Sequence, residues 1–189
     1  MLGREESIKY AEEAAVKLRN LYLENYGDPD NPLHLDLVNL CGKIGGSIYE
    51  VFCNTQWKDF NVLEAQEGGG FIVRLNTFYM DSEIYKSSLR LAFVIGDWLL
   101  NFQDAKPGTV CRTYQETRHV TASSKPSYDY VVHFGWSLLL PADLFENTWW
   151  LYRCNASEVA KAFDVSCRTA QLRSQQLNLP IKPLESMEG

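Results

Sequence analysis

Few residues in this chain have a type and spacing that suggest chemistry. Asp97 is the one acid in a largely apolar run, SLRLAFVIGDWLLN (residues 88–101). A carboxylate buried there needs a hydrogen-bond partner, because an unpaired buried charge is costly. Cys111 with His119 suggests a thiol nucleophile and its base, but both fall in a loop-like stretch, where a lone Cys and His are usually bystanders. The histidines His34, His119 and His133 are scattered and form no metal-ligand pattern. Near the C-terminus, Lys161, Arg168 and Arg173 lie on a segment that reads as helix-turn-helix, which makes them candidate DNA contacts.

Composition narrows the classes. A chain of 189 residues fits one large domain, or a domain with a small appendage, and can bury a core without staples. A net charge of −6 argues against broad electrostatic binding to DNA or anionic membrane. The five cysteines are odd in number and contain no C-x-x-C pair. Free thiols in a reducing cytoplasm are the simplest expectation. The charged, helical N-terminus reads as no signal peptide, and no apolar run reaches the ~18–20 residues that span a bilayer.

These residues must be positioned by local elements. Residues 5–25 carry Ile8, Ala11, Ala15, Leu18 and Tyr22 at spacings of three and four, which predicts an amphipathic helix. GDPDNP ends it. A short helix follows over 34–43, closed by Gly45 and Gly46. Three strands are expected: SIYEVFC (47–53), a weaker one over 61–67, and FIVRLN (71–76). Their short connections suggest a small, mostly antiparallel sheet. The apolar run around Asp97 predicts a buried helix over 81–102, with Asp81 or Ser82 as N-cap and Glu83 in the first turn. Residues 103–127 are polar and too long for an ordinary connection, so part of them is expected to be mobile or functional. Another buried helix is expected over 127–140, ended by Pro141, then a short one over 143–151. Residues 155–177 hold two helical segments with a break near 164–166, and Pro180 and Pro183 mark a loose tail.

Three segments carry a family pattern. On the Asp97 helix these are Leu91, Ala92, Gly96, Leu99 and Leu100. On the next buried helix they are Phe134, Leu138, Leu139, Leu140 and Pro141. The C-terminal segment contributes VAKAFDVS (159–166), Ala170, Leu172 and Arg173. In order and spacing, residues 32–179 resemble the ImmA/IrrE family of bacterial and phage metallo-endopeptidases. The resemblance implies an α+β fold: a mostly helical zincin-like domain with the small sheet and a C-terminal helix-turn-helix-like segment. It divides the chain into a degenerate zincin-like domain (1–154), the helix-turn-helix-like segment packed on it (155–179) and a tail (180–189).

The resemblance breaks at the chemistry. An H-E-x-x-H helix places two His one turn apart as zinc ligands, with the Glu between them as general base. The matching positions here are Phe93, Val94 and Asp97, and the family's third ligand, a Glu, falls on Tyr130. Asp129 sits beside that position, but a one-residue offset turns it about 100° around the helix. No zinc or other cofactor is expected, and the chain reads as a pseudoprotease. The vestigial site predicts Phe93 packed on the Tyr130 ring and a hydrogen bond from the Tyr130 hydroxyl to Asp97. Alternatives for Asp97 are solvent at a cleft floor, or pairing with Arg90 or His133. Phe93 with Trp98 or Trp136 is expected to fill the old cleft, leaving binding to the surface or to residues 103–127. The function implied is protein binding, to a repressor or another regulator of a phage, mobile element or stress response. The competing reading is DNA binding by the C-terminal segment. Trp57, Trp149 and Trp150 are candidate interface aromatics.

Overall fold

The protein, represented by a computed structural model, is described over residues 3–51, 60–76, 87–114 and 129–180. It opens with α1 (Arg4–Tyr26), whose inner face carries Ala11, Ala15, Arg19 and Tyr22. Helix α2 (Leu37–Lys43) starts where the Asp36 side chain accepts the Asn39 N–H at 2.9 Å. It is closed by Gly45 at φ +88°, a conformation that costs glycine nothing.

The strands β1 (Gly46–Val51), β2 (Phe60–Ala65), β3 (Phe71–Asn76) and β4 (Val110–Tyr114) form one sheet in the order β1-β3-β2-β4. β3 runs parallel to β1, with Ile48 opposite Val73. β2 runs antiparallel to both its neighbours, with Leu63 opposite Val73 and Cys111. This corrects the expected three-stranded, mostly antiparallel sheet in two respects. β3 inserts between β1 and β2, so these two consecutive strands are not neighbours, and β1 pairs with β3 in parallel. The fourth strand comes from the stretch expected to be loop. As an edge strand with one partner it needs little apolar patterning, and Val110 is 58% exposed. The alternation in β2 and β3 puts Leu63, Ala65, Phe71, Val73 and Leu75 into the core.

The helix carrying Asp97 is α3 (Ser87–Asp97), continued by a π-helical turn over Trp98–Phe102. Its expected N-terminal residues Asp81, Ser82 and Glu83 lie outside the described residues, as do Cys53, Trp57, His119 and Pro183. The Phe71 ring stacks on Trp98 with centroids 4.4 Å apart, joining sheet to helix.

Helix α4 (Asp129–Leu139) packs against both α1 and α3. Its C-terminal carbonyls face inward and are satisfied by two buried arginines. Arg19 Nη1 donates to the Leu138 and Leu139 carbonyls at 3.1 and 3.3 Å, and Arg173 Nε donates to that of Leu140 at 3.0 Å. A helix end buried without such donors would strand several acceptors.

α5 (Ala142–Leu151) follows Pro141. α6 (Ala156–Ala162) and α7 (Cys167–Gln176) are the last elements among the described residues, each started by a side-chain cap, Asn155 and Ser166 respectively. Asp164 bridges them at φ +51°. Val159, Phe163, Val165 and Ala170 belong to the same hydrophobic core as Ala15, Ile95 and Phe134. The fold is α+β, and the C-terminal helix pair packs on the rest. Among the described residues no helix is long and apolar enough to cross a membrane.

Candidate functional site

The joint between α3 and α4 gathers the residues singled out by type. Each helix carries a glycine at the contact, Gly96 near the end of α3 and Gly135 within α4, and a helical glycine costs about 1 kcal/mol relative to alanine. The reason is close packing. A Cβ on Gly96 would stand 2.7 Å from Phe134 Cδ1. One on Gly135 would stand 2.7 Å from Phe93 Cε1, and closer still to Cδ1. Each helix thus receives a phenylalanine ring from the other over its glycine. Phe93 also sets its ring edge-on to Trp136, at 6.4 Å and 76°. Val94 lies fully buried in the core.

Phe93 therefore fills the space between the helices with Trp136, one of the two partners expected. The other, Trp98, turns to the sheet instead. The expected stack of Phe93 on Tyr130 is not formed, because Gly135 opens a closer seat for the ring.

One helical turn on, Asp97 is 3% exposed. The Asn101 side-chain amide donates to its Oδ1 at 2.7 Å, and the Tyr130 hydroxyl donates to Asn101 Oδ1. The direct Tyr130–Asp97 hydrogen bond expected from sequence is replaced by this relay. Asn101 stands four residues after Asp97 on the same face and occupies the space between carboxylate and ring. Burial raises the Asp97 ionisation above the usual carboxylate range, and the Asn101 hydrogen bond offsets part of the rise.

A zinc ion does not fit these residues. Phe93 and Val94 have no donor atom, the Tyr130 hydroxyl is held by Asn101, and Asp97 is a single buried oxygen ligand. Among the described residues no group of three or more His, Cys, Asp or Glu could hold a metal ion. Asp129 turns away to pair with Arg4 of α1. His133 bonds Glu12 Oε1 through Nδ1 at 2.7 Å rather than meeting Asp97, and His34 lies 3.6 Å from Asp164.

The remaining candidates are dispersed. Cys111 is half-buried on β4, and burial together with the nearby Asp97 charge pushes its thiol up to about 11. A thiol so protonated is a poor nucleophile at neutral pH. Its suggested base, His119, lies outside the described residues. Of the candidate DNA contacts, Arg168 is exposed, Lys161 pairs with Glu158 at 2.9 Å, and Arg173 is buried against α4. Trp149 is a core residue stacked on Phe145, its indole N–H donating to the Pro180 carbonyl at 2.8 Å, whereas Trp150 is exposed.

Sequence reasoning missed Asn101 and Arg19. Asn101 ends the very run that contains Asp97, and the i to i+4 spacing is a usable signal. Arg19 continues the Ala11, Ala15 stripe, where a cation on an apolar face points to a buried role. No known family model matches the chain, and no curated protein matches it.

Proposed function

We propose that the chain is a non-catalytic, protein-binding relative of the ImmA/IrrE metallo-endopeptidases. In this reading residues 1–154 are a degenerate zincin-like domain working in the cytoplasm. The partner is a repressor or another regulator of a phage, mobile element or stress response. The observation that carries the reading is the α3–α4 joint. Phe93, Asp97 and Tyr130, which the resemblance assigns to metal ligands, meet where two helices face each other. Packing and a hydrogen-bond relay now occupy that joint. A surface feature adds support for a protein partner. Trp150 and Leu151, 52% and 75% exposed, follow one another at the end of α5 with Tyr152 beside them. Large apolar side chains left in solvent are what a protein partner would cover.

The test is to mix the purified protein with purified repressors from its own host, with and without added zinc. Complexes are followed by size-exclusion chromatography with light scattering, and chain integrity by intact mass. The expected result is a stable complex with an uncut repressor under both conditions. Zinc-dependent cleavage would overturn the non-catalytic reading, and failure to bind any regulator would overturn the partner class. DNA binding through α6 and α7 is the weaker alternative, since of its three cations only Arg168 is both exposed and unengaged by a neighbouring acid. Salt-dependent retention on duplex DNA would favour it.

A further inference from the structure

A groove of about 1140 Å³ runs between α1, α4, the start of α5 and the end of α7. Arg19 and Arg173 lie at its floor, 1% and 2% exposed. Every acceptor they meet is neutral. Besides the α4 carbonyls, Arg19 Nη2 donates to the Leu33 carbonyl at 2.6 Å, and Arg173 Nη1 donates to Gln176 Oε1 at 2.7 Å. Arg173 Nη2 meets no acceptor among the described residues, and no described carboxylate lies within 4.0 Å of either guanidinium. Burial lowers both ionisations, yet only to about 10, so both side chains are cations at neutral pH.

Two buried cations without a counter-anion are expensive, and truncated charge pairs show the scale of that cost. The C-terminus of α4 offsets part of it, since a helix end carries roughly half a negative charge. Glu12 acts on Arg173 through space, but its carboxylate is already bonded to His133. The rim has the opposite sign: Glu13, Glu24 and Asp143 are exposed around the groove, with Lys17 among them. A basic floor under a mainly acidic rim matches a ligand with one acid between bases.

We propose that this groove binds a peptide by one carboxylate, held by Arg173 Nη2 with the Arg19 charge beside it, and with basic side chains of the peptide set against Glu13, Glu24 and Asp143. The carboxylate is either a chain terminus or an Asp or Glu side chain. The site is independent of the α3–α4 joint, so it stands or falls separately from the pseudoprotease reading.

The experiment uses the full chain, labelled with ¹⁵N on arginine, and follows the arginine Nε–Hε resonances. The probes are three lysine-flanked, N-acetylated hexapeptides. One has a free C-terminal carboxylate, one is amidated with an internal Glu, and one is amidated with no acid. At least one acid-bearing peptide should move the Arg19 and Arg173 resonances and bind about tenfold or more tighter than the acid-free one, the scale of one charge-assisted hydrogen bond. Which peptide does so names the source of the carboxylate. Equal binding of all three, or binding that leaves both resonances unmoved, overturns the proposal. Because substitution of Arg173 also removes a helix cap, the variant used is Glu13→Lys with Glu24→Lys, both on exposed positions. It should weaken the lysine-flanked peptide severalfold, as loss of rim complementarity requires. Unchanged binding would overturn the assignment of the rim.

Discussion

The Phe93 ring of α3 lies over Gly135 of α4, in the space a side chain at Gly135 would need. Phe134 and Gly96 repeat the arrangement in the opposite sense. The joint is locked from both sides, so neither glycine tolerates even a methyl group without moving an aromatic ring. Gly135→Ala should cost about 1–3 kcal/mol, the range for overpacking a tight core. A surface Gly42→Ala, where a Cβ meets nothing within 4 Å, serves as control and should fall within about 1 kcal/mol of the wild type. Urea denaturation of the two variants checks the difference.

Asp97 makes stability depend on pH in a defined direction. Burial holds its ionisation above the unfolded value, so the folded chain keeps the proton longer than the unfolded one. Stability conferred by this group is therefore greatest in acid, and it falls as pH rises from the ordinary carboxylate range through the raised folded value. Asp97→Asn removes the charge and leaves an oxygen for Asn101 to reach. The variant should lose this part of the pH dependence and gain on the wild type toward neutral pH. Denaturation midpoints at a series of pH values test it, and parallel wild-type and variant curves would refute it.

How far the sequence alone led is clearest at α1 and the sheet. The spacing of Ala11, Ala15 and Tyr22 located the helix and its inner face, because a helix period is written locally. The same period passes through Arg19, whose buried role depends on carbonyls more than a hundred residues away. Nothing local records that. The strand FIVRLN was legible for the same reason as α1, but its insertion between β1 and β2 was not, since strand partners are chosen by tertiary packing. At the candidate site, the family resemblance pointed to Phe93, Asp97 and Tyr130 as facing positions on two helices. Their actual partners, Gly135, Trp136 and Asn101, are matters of ring and amide orientation that residue type does not fix.

Arg19 and Arg173 serve consecutive carbonyls of one helix end, so their losses should not add. Arg19→Met strands the buried acceptors of Leu138 and Leu139 and frees the part-buried one of Leu33. It should cost about 2–4 kcal/mol, the penalty for unsatisfied buried groups. A double-mutant cycle with Arg173→Met should give a coupling energy above about 0.5 kcal/mol, as expected for residues sharing one structural element. Additive losses would mean that the two caps act independently.

The turn into α7 rests on Ser166, whose hydroxyl oxygen accepts the Thr169 N–H at 3.0 Å. Ser166→Ala should cost about 1 kcal/mol, the usual worth of such a cap. Asp164 precedes it at φ +51°, where glycine is favoured. Asp164→Gly should therefore be tolerated far better than Asp164→Val, whose branched side chain resists that backbone conformation. Thermal unfolding of the three variants separates the cap from the turn.

The resemblance at α3 and α4 can be tested by rebuilding what it says was lost. Phe93 and Asp97 stand four residues apart, hence on one face of α3. Tyr130 reaches that face through Asn101. If the pairing of the helices is inherited from a zinc site, Phe93→His, Asp97→His and Tyr130→Glu together should restore three ligands within reach of one ion. Replacing the Phe93 ring by the smaller imidazole frees part of the volume over Gly135, and removing Asp97 relieves a buried carboxylate, so folding should survive. The triple variant should bind one zinc ion per chain, with Asn101→Ala added if the relay amide obstructs it, and zinc should raise its melting temperature as a native-state ligand does. Metal content after dialysis and the thermal shift give two separate readouts. A folded triple variant that takes up no zinc, with or without the Asn101 substitution, would show that the α3–α4 joint does not have the geometry of a metalloprotease site.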